Sequence, residues 1–324
     1  MVTAKALYWD ILNRIYHMDE KFQGANKPVS IPKPPWLRRR LPPAGLSAEV
    51  AETIKNMELH TVCREAHCPN QMECYGRGTA TFLLLGPGCT RRCTFCAVDK
   101  SGVHPPDDEE PRRIAEVVSQ LKLKYCVLTM VTRDDIPDGG AGHIAAAIEA
   151  LKDTRQNIRI EVLISDLGGN RKGLDRVLAA TPDVLNHNVE TVPRLYPEVR
   201  PQADYVRSLE VLSGAARHKP PLVIKSGLML GLGETRQELL MVMDDLRKAD
   251  CHLLTLGQYL APSKKHHPVI RYVPPAEFEE YKEEAMNRGF YGVASAPYVR
   301  SSYKAEQLFS IAKERMHADR PTND

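Results

Sequence analysis

The sequence predicts an α/β fold built on a parallel sheet, and two observations carry that reading. Six strand-length apolar runs follow one another from Thr79 onward: "TFLLLG", "YCVLTMV", "IRIEVLI", "DVLNHNV", "LVIKSGLML" and "HLLTLGQY". Helical patterns lie between them: Ile114, Val117, Val118 and Leu121 fall at i, i+3, i+4 and i+7, and Leu239, Met243 and Leu246 follow the same rhythm. Strands alternating with helices in series give parallel pairing with the helices outside. The strands read as nearly continuous apolar runs, as burial on both faces requires. Six such units fit an open doubly wound sheet and an incomplete barrel alike. In both, the ligand site lies at the carboxyl ends of the strands.

Ahead of the first strand the chain has a different character. "KPVSIPKPPWLRRRLPP" carries six prolines between Pro28 and Pro43, which fix φ and remove donors, so an extended surface strap is expected there. The N-terminal "ALYWDILNRIYHM" is amphipathic, but Asp10 and Asp19 argue against an organelle address. With no export signal and no long apolar run, a soluble cytoplasmic protein is expected, without a membrane partner. A net charge of +3 is too mild to imply nucleic acid. Eight cysteines in 324 residues, without an export signal, read as metal ligands or free thiols rather than disulfides.

Two groups of three cysteines follow. "CREAHCPNQMEC" sets Cys63, Cys68 and Cys74 in a C-x4-C-x5-C arrangement before the first strand. Gly86, Pro87 and Gly88 end that strand, so Cys89, Cys93 and Cys96 form the first βα loop, in a C-x3-C-x2-C spacing at the functional rim. Structural zinc takes four closed ligands, and a four-iron cube also has four metals to satisfy. Three cysteines on one loop hold three corners of a cube and leave one iron open to a substrate. The bland alternatives are a zinc knuckle with a distant fourth ligand and, for the first triad, a zinc site completed by His67. Cys126 lies within an apolar run and Cys251 directly before one, so both read as buried core thiols.

The first βα loop resembles that of the radical S-adenosylmethionine enzymes, with Phe95 at the aromatic position before the last cysteine. Both triads together resemble the lipoyl synthases, and the likeness runs from Pro34 to Gln307. It is carried by "KPPWLRRRLP", "ECYGRGTATFLLLG", "CTRRCTFCAV", "RDDIPDGGA", "PDVLNHNVETVPRLYPEVRP", "KSGLMLGLGET", "LGQYLAPSKKH" and "VRSSY". The resemblance implies a partial (βα)6 TIM-type barrel over residues 79–290. An N-terminal extension, 1–78, would bear the auxiliary-cluster cysteines, and a C-terminal extension, 291–324, would bear Arg300, Ser301, Ser302 and Tyr303. Both extensions would cover the open side.

The implied reaction is radical insertion of two sulfur atoms, at carbons six and eight of a protein-bound octanoyl chain. The implied cofactors are two 4Fe–4S clusters and two S-adenosylmethionine molecules per lipoyl group, with the auxiliary cluster as sulfur donor. Ser302 is favoured over Ser301 as that cluster's fourth ligand; a helix N-cap is the competing role. Asp134, Asp135 and Gly139 are expected near the methionine part of S-adenosylmethionine. Asn188 and Glu190 are expected at its ribose or amino acid part, and Arg200 at a carboxylate. The glycines of "GLMLGLGET" would admit an adenine, or lead a helix with Glu234 near its start.

The implied partners are an octanoylated lipoyl carrier, either the glycine cleavage H protein or a 2-oxoacid dehydrogenase E2 domain. An electron donor such as ferredoxin or flavodoxin and an iron–sulfur carrier complete the set. Arg38 to Arg40 and "PSKKHH" are basic stretches suited to an acidic partner. Met130 and Thr132 depart from the family's "TSVDRDD", Leu167–Asn170 stand within "VLISDLGGN" where "VLIPDFRGD" is usual, and "SAPYVRSSYKA" replaces "SGPLVRSSYHA". Biotin synthase and the RNA methylthiolating enzymes fit less well: the early triad and terminal serines oppose the first, and the modest charge the second. An iron–sulfur electron carrier would have no use for an open iron at the rim.

Overall fold

The computed structural model describes residues 32–38, 46–77, 79–154 and 157–318. Helices α1 (Leu46–Asn56), α2 (Val62–Glu65) and α3 (Gln71–Gly76) precede the sheet. Then come β1 (Thr81–Leu84), α4 (Glu110–Gln120), β2 (Tyr125–Met130), α5 (Ala141–Thr154), β3 (Arg159–Leu163), α6 (Arg171–Ala179) and β4 (Val184–Asn186). The chain continues through α7 (Tyr196–Val199), α8 (Tyr205–Ala216), β5 (Val223–Leu230), α9 (Arg236–Lys248), β6 (Leu253–Gln258), α10 (Pro275–Asn287), β7 (Gly292–Ser295) and α11 (Ala305–Ala318).

Among the described residues the seven strands lie side by side in chain order, all parallel. A doubly wound sheet reverses its order at a switch point, and this one never does. It winds one way, as a barrel does, but β1 and β7 do not pair, so the barrel stays open between them. All six expected strands form. The seventh extends the series past residue 290: "GVAS" is built of small residues and offers no apolar run, so periodicity does not mark it.

Two layers of packing hold the sheet. The helices bury their apolar stripes on its outer face, for example Ile114, Val117 and Val118 of α4 and Leu239, Val242, Met243 and Leu246 of α9, all within 1 % exposure. Inside, Tyr125, Val184, Val223 and Leu253, the first residues of β2, β4, β5 and β6, pack with Ala305, Leu308, Phe309 and Ala312 of α11. This last helix therefore fills the amino end of the barrel and leaves the carboxyl end for a site.

Where it is described, the proline strap lies at the surface and is extended at Pro34 and Arg38, as expected, but one turn interrupts it. Pro35–Leu37 form a 3-10 turn, started by prolines that supply its φ, and Leu37 is buried. Arg39, Arg40, the remaining prolines and the amphipathic N-terminal stretch lie outside the described residues, while Arg38 is exposed. No helix among the described residues is long and apolar enough to cross a membrane.

Phe309, 6 % exposed with its ring centroid 6.0 Å from that of Tyr125, is the largest of the buried α11 side chains in the plug. Phe309→Ala should cost about 3 kcal/mol. Urea unfolding of the apoprotein should show a lower midpoint at unchanged slope.

Candidate active site

The loop after β1 is fixed from several sides. At Gly88 a Cβ would sit 1.6 Å from the carbonyl oxygen of Gly102, so only glycine lets the chain fold back here. The backbone N–H groups of Cys89, Thr90 and Thr94 donate to the carbonyls of Asp99, Thr132 and Val199, each at 3.0 Å. Lys100 Nζ donates to the carbonyls of Cys93 at 2.9 Å and Cys96 at 2.8 Å. Arg91, 5 % exposed, bonds bidentately to Asp134, Nε to Oδ2 at 2.8 Å, and to Asp166, Nη2 to Oδ1 at 2.7 Å. One guanidinium thus staples the loop to the rims of β2 and β3. Burial pushes the Asp166 carboxyl up, but the hydrogen bonds and charge of Arg91 outweigh it and hold the group down at about 2.

Above the plug lies a cavity of about 570 Å³, lined by Cys63, Cys68, Cys74, Cys89, Cys93 and Cys96 together. Arg300, Ser301, Ser302 and Tyr303 line it too, with Phe95, His67, His187, Asn188, Glu190, Arg200, Met130 and Thr132. The first triad is placed by short-range bonds. Thr61 caps α2, and its hydroxyl meets the Tyr75 hydroxyl of α3 at 2.8 Å. The C-terminal segment is tied to the same region: Asn70 Nδ2 donates to Tyr298 O at 2.6 Å, and the Tyr303 hydroxyl donates to Glu73 at 3.2 Å. Ser301 and Ser302 sit in a turn upstream of α11, which starts at Ala305 after Lys304, so neither serine caps that helix.

The cavity chemistry suits sulfur-ligated metal. Burial, first of all, pushes the Cys63 thiol up to about 12 and that of Cys96 up to about 11, and raises Cys68 and Cys93 as well. Such thiols keep their protons near neutral pH until a metal displaces them. Two sets of three soft donors around one apolar-walled space match iron–sulfur clusters, whose ligands are thiolates.

The Radical SAM superfamily profile matches residues 83–246. The chain is 53 % identical over 279 residues to the lipoyl synthase of Caldicellulosiruptor saccharolyticus, spanning 86 % of this chain and 98 % of that one. Identity to the lipoyl synthase of Desulfotalea psychrophila is 50 % over 288 residues, 89 % of this chain and 96 % of the relative.

The chain belongs to the lipoyl synthase family.

It is a radical S-adenosylmethionine sulfurtransferase, and its cofactors are 4Fe–4S clusters and S-adenosylmethionine. Among solved structures, methylornithine synthase superposes with TM-score 0.50 at 13 % identity, covering 75 % of this chain and 77 % of that one. SuiB of Streptococcus suis bound to S-adenosylmethionine gives 0.53 at 9 % identity, covering 69 % and 54 %. These agree with this lipoyl synthase-family chain in fold, an incomplete TIM-type barrel.

At the rim, Arg200 Nη1 donates to the carbonyls of Asn188 and Val189 and to the Tyr196 hydroxyl, each at 3.1 Å. Asn188 Nδ2 donates to Glu190 Oε1 at 3.0 Å. Burial pushes the Glu190 carboxyl up, against the opposing charge of Arg200. Among the described residues, Arg200 Nε and His187 Nε2 are buried polar atoms without a protein partner, and both residues face the cavity. Asp134, Asp135 and Gly139 do not join them in its lining: Asp134 is held by Arg91, and Asp135 by Arg133 at 2.8 Å. Glu234 accepts from the N–H groups of Gly231 and Leu232 at 2.6 and 2.9 Å, bracing its own turn. Cys126 and Cys251 are buried at 0 % exposure, away from the cavity lining.

The basic stretch 262–267 is only partly a surface run. Lys264 and Lys265 are exposed, but His267 is buried and bonds Leu232 O at 2.9 Å, and His266 Nε2 meets Cys96 O at 3.2 Å. The Leu167–Asn170 departure has local work: Asn170 caps α6 through the Gly173 N–H. The motif reading passed over Arg91, Lys100 and Asp166. An arginine between two cysteines of one triad, facing strand ends that carry aspartates, was the available signal for the first.

Asp166 has a fully buried side chain, and its folded value near 2 lies below the ordinary 3.8. Its contribution is therefore complete above the unfolded value and is lost as pH falls toward the folded one, an effect on the order of 2 kcal/mol. Asp166→Asn should flatten the acid limb of stability between about pH 4 and pH 2, read from urea midpoints across that range.

Proposed function

We propose that Cys89, Cys93 and Cys96 hold the radical cluster with one iron left for S-adenosylmethionine. Cys63, Cys68 and Cys74, with Ser302, hold the auxiliary cluster. The reaction is insertion of two sulfur atoms, at carbons six and eight of an octanoyl chain carried on a lipoyl carrier protein. The observation that carries this reading is that both triads and Ser302 line one cavity. The carbon–hydrogen bonds concerned are unactivated, and no side-chain acid or base removes such a hydrogen. When bound, the cofactors supply the hydrogen-abstracting radical and the sulfur; the protein's share is positioning.

The residues divide that share. The buried Nε of Arg200 and the Asn188–Glu190 pair suit the amino acid or ribose part of S-adenosylmethionine, beside Phe95. Leu83, Val131, Leu228, Met229 and Leu260 give the cavity an apolar wall, which accepts an alkyl arm and excludes water from a reactive carbon. A serine oxygen is a harder ligand than thiolate and suits an iron that must be released. In this division residues 1–78 supply the auxiliary triad, 79–290 the radical centre, and 291–324 the serine. Asp134, Asp135 and Gly139 act behind the cluster loop in support of the S-adenosylmethionine site, through Arg91 in the case of Asp134.

The carrier would be the glycine cleavage H protein or a 2-oxoacid dehydrogenase E2 domain, with Arg38, Lys264 and Lys265 facing its acidic surface. A ferredoxin or flavodoxin would reduce the first cluster, and an iron–sulfur carrier would rebuild the second. Readily oxidised clusters and these partners suit the cytoplasm.

Anaerobically reconstituted protein, given an octanoylated carrier peptide, should add the mass of two sulfurs less two hydrogens. Cys68→Ala should still cleave S-adenosylmethionine but lose the product by more than about 100-fold. Product formation by that variant at the wild-type rate would contradict the assignment.

A further inference from the structure

We propose that Asn186, oriented by the buried Glu161–Lys225 pair, is the positioning residue that locks Ser301 as a strut and so presents Ser302 to the auxiliary cluster. This rests on the reading of Ser302 given above.

The pair crosses the barrel interior from β3 to β5. Lys225 and Glu161 are each 0 % exposed, with Nζ 2.8 Å from Oε1. The Tyr125 hydroxyl donates to Glu161 Oε2 at 2.7 Å, and Asn186 Nδ2 donates to Oε1 at 3.1 Å. Tyr125 also belongs to the plug formed with α11, so the pair stands between that apolar floor and the cavity.

A carboxylate at this spot sets the polarity of everything above it. The amide oxygen of Asn186 cannot face Glu161 without placing two acceptors in contact, so the nitrogen must. The other hydrogen of that nitrogen goes to Ser301 Oγ at 2.8 Å. Ser301 is thereby made an acceptor, and its own hydrogen goes to Asn188 Oδ1 at 3.1 Å. Asn188 in turn aims its nitrogen at Glu190. The direction runs unbroken from the ion pair to the rim. An independent sign of this constraint is the Asn186 oxygen, buried without a partner among the described residues. A side chain free to choose its orientation would not leave it so.

The two neighbouring serines end up in different states. Ser301 would have to give up bonds to both Asn186 and Asn188 to reach a metal. Ser302 only accepts, from Thr81 Oγ1 at 2.8 Å, and among the described residues its hydrogen has no acceptor. The strut fixes the turn, and Ser302 is the hydroxyl left uncommitted.

The test follows iron release to a chelator from the anaerobically reconstituted full chain. The EPR signal of the reduced radical cluster, recorded without S-adenosylmethionine, serves as the internal control. Asn186→Leu and Ser301→Ala should each release auxiliary iron about tenfold faster than wild type, with the control signal unchanged. The double variant should be no faster than either single one, because both act through one strut. Multiplying effects, or wild-type release from both single variants, would overturn the inference. Should Asn186→Leu fail to fold, Ser301→Ala, a small change in a turn, decides by the same criterion. Ser302→Ala separates the two claims: iron held as in wild type defeats the ligand reading itself. Rapid loss there, with Asn186→Leu and Ser301→Ala unaffected, defeats only the strut.

Discussion

A parallel barrel that stops short of closure leaves two strand edges and an interior to fill, and the rest of this molecule follows from how that space is shared. The amino half is filled by α11, whose Leu308 and Phe309 pack on the first residues of the strands. The carboxyl half is left hollow, and segments from both ends of the chain line it. A closed barrel would fill its interior with layers of its own side chains. Here the chain ends do part of that filling, which lets cysteines distant in sequence share one cavity.

Polar groups taken into such an interior must be paired, and their pairing gives the site its rigidity. Arg91 sits between Asp134 and Asp166, and Lys225 faces Glu161; loss of Lys225 or Glu161 strands a buried charge, and loss of Arg91 leaves the buried Asp166 with Arg207 alone, 3.3 Å away. The Arg91 group fixes the loop that carries one triad. The Lys225–Glu161 pair lies beneath the turn that carries the serines. The segments that carry the two triads and the serines are short and irregular, so they depend on such anchors more than helices or strands do.

Much of this was legible in the residues. Apolar runs marked six strands because burial on both faces leaves an uninterrupted signal, and the two triads announced themselves by spacing. β7 was not legible, because "GVAS" has too little apolar surface to register. Side-chain direction was not legible either. Asp134 could be placed at a rim, but its turn toward Arg91, 43 residues back, depends on how the loop folds over the sheet. The lone Glu161 and Lys225 inside otherwise apolar runs were an available hint, since an unpaired charge in a buried strand is too costly to keep. Their partnership across 64 residues needed the barrel.

The central claim is that the hollow half of this barrel holds two iron cubes facing each other across a single space. Iron anomalous scattering from crystals of the anaerobically reconstituted protein tests it most directly. The account predicts two four-iron peaks, one at each cysteine triad, with only cavity between them. A single peak, or two peaks separated by the sheet, would contradict it.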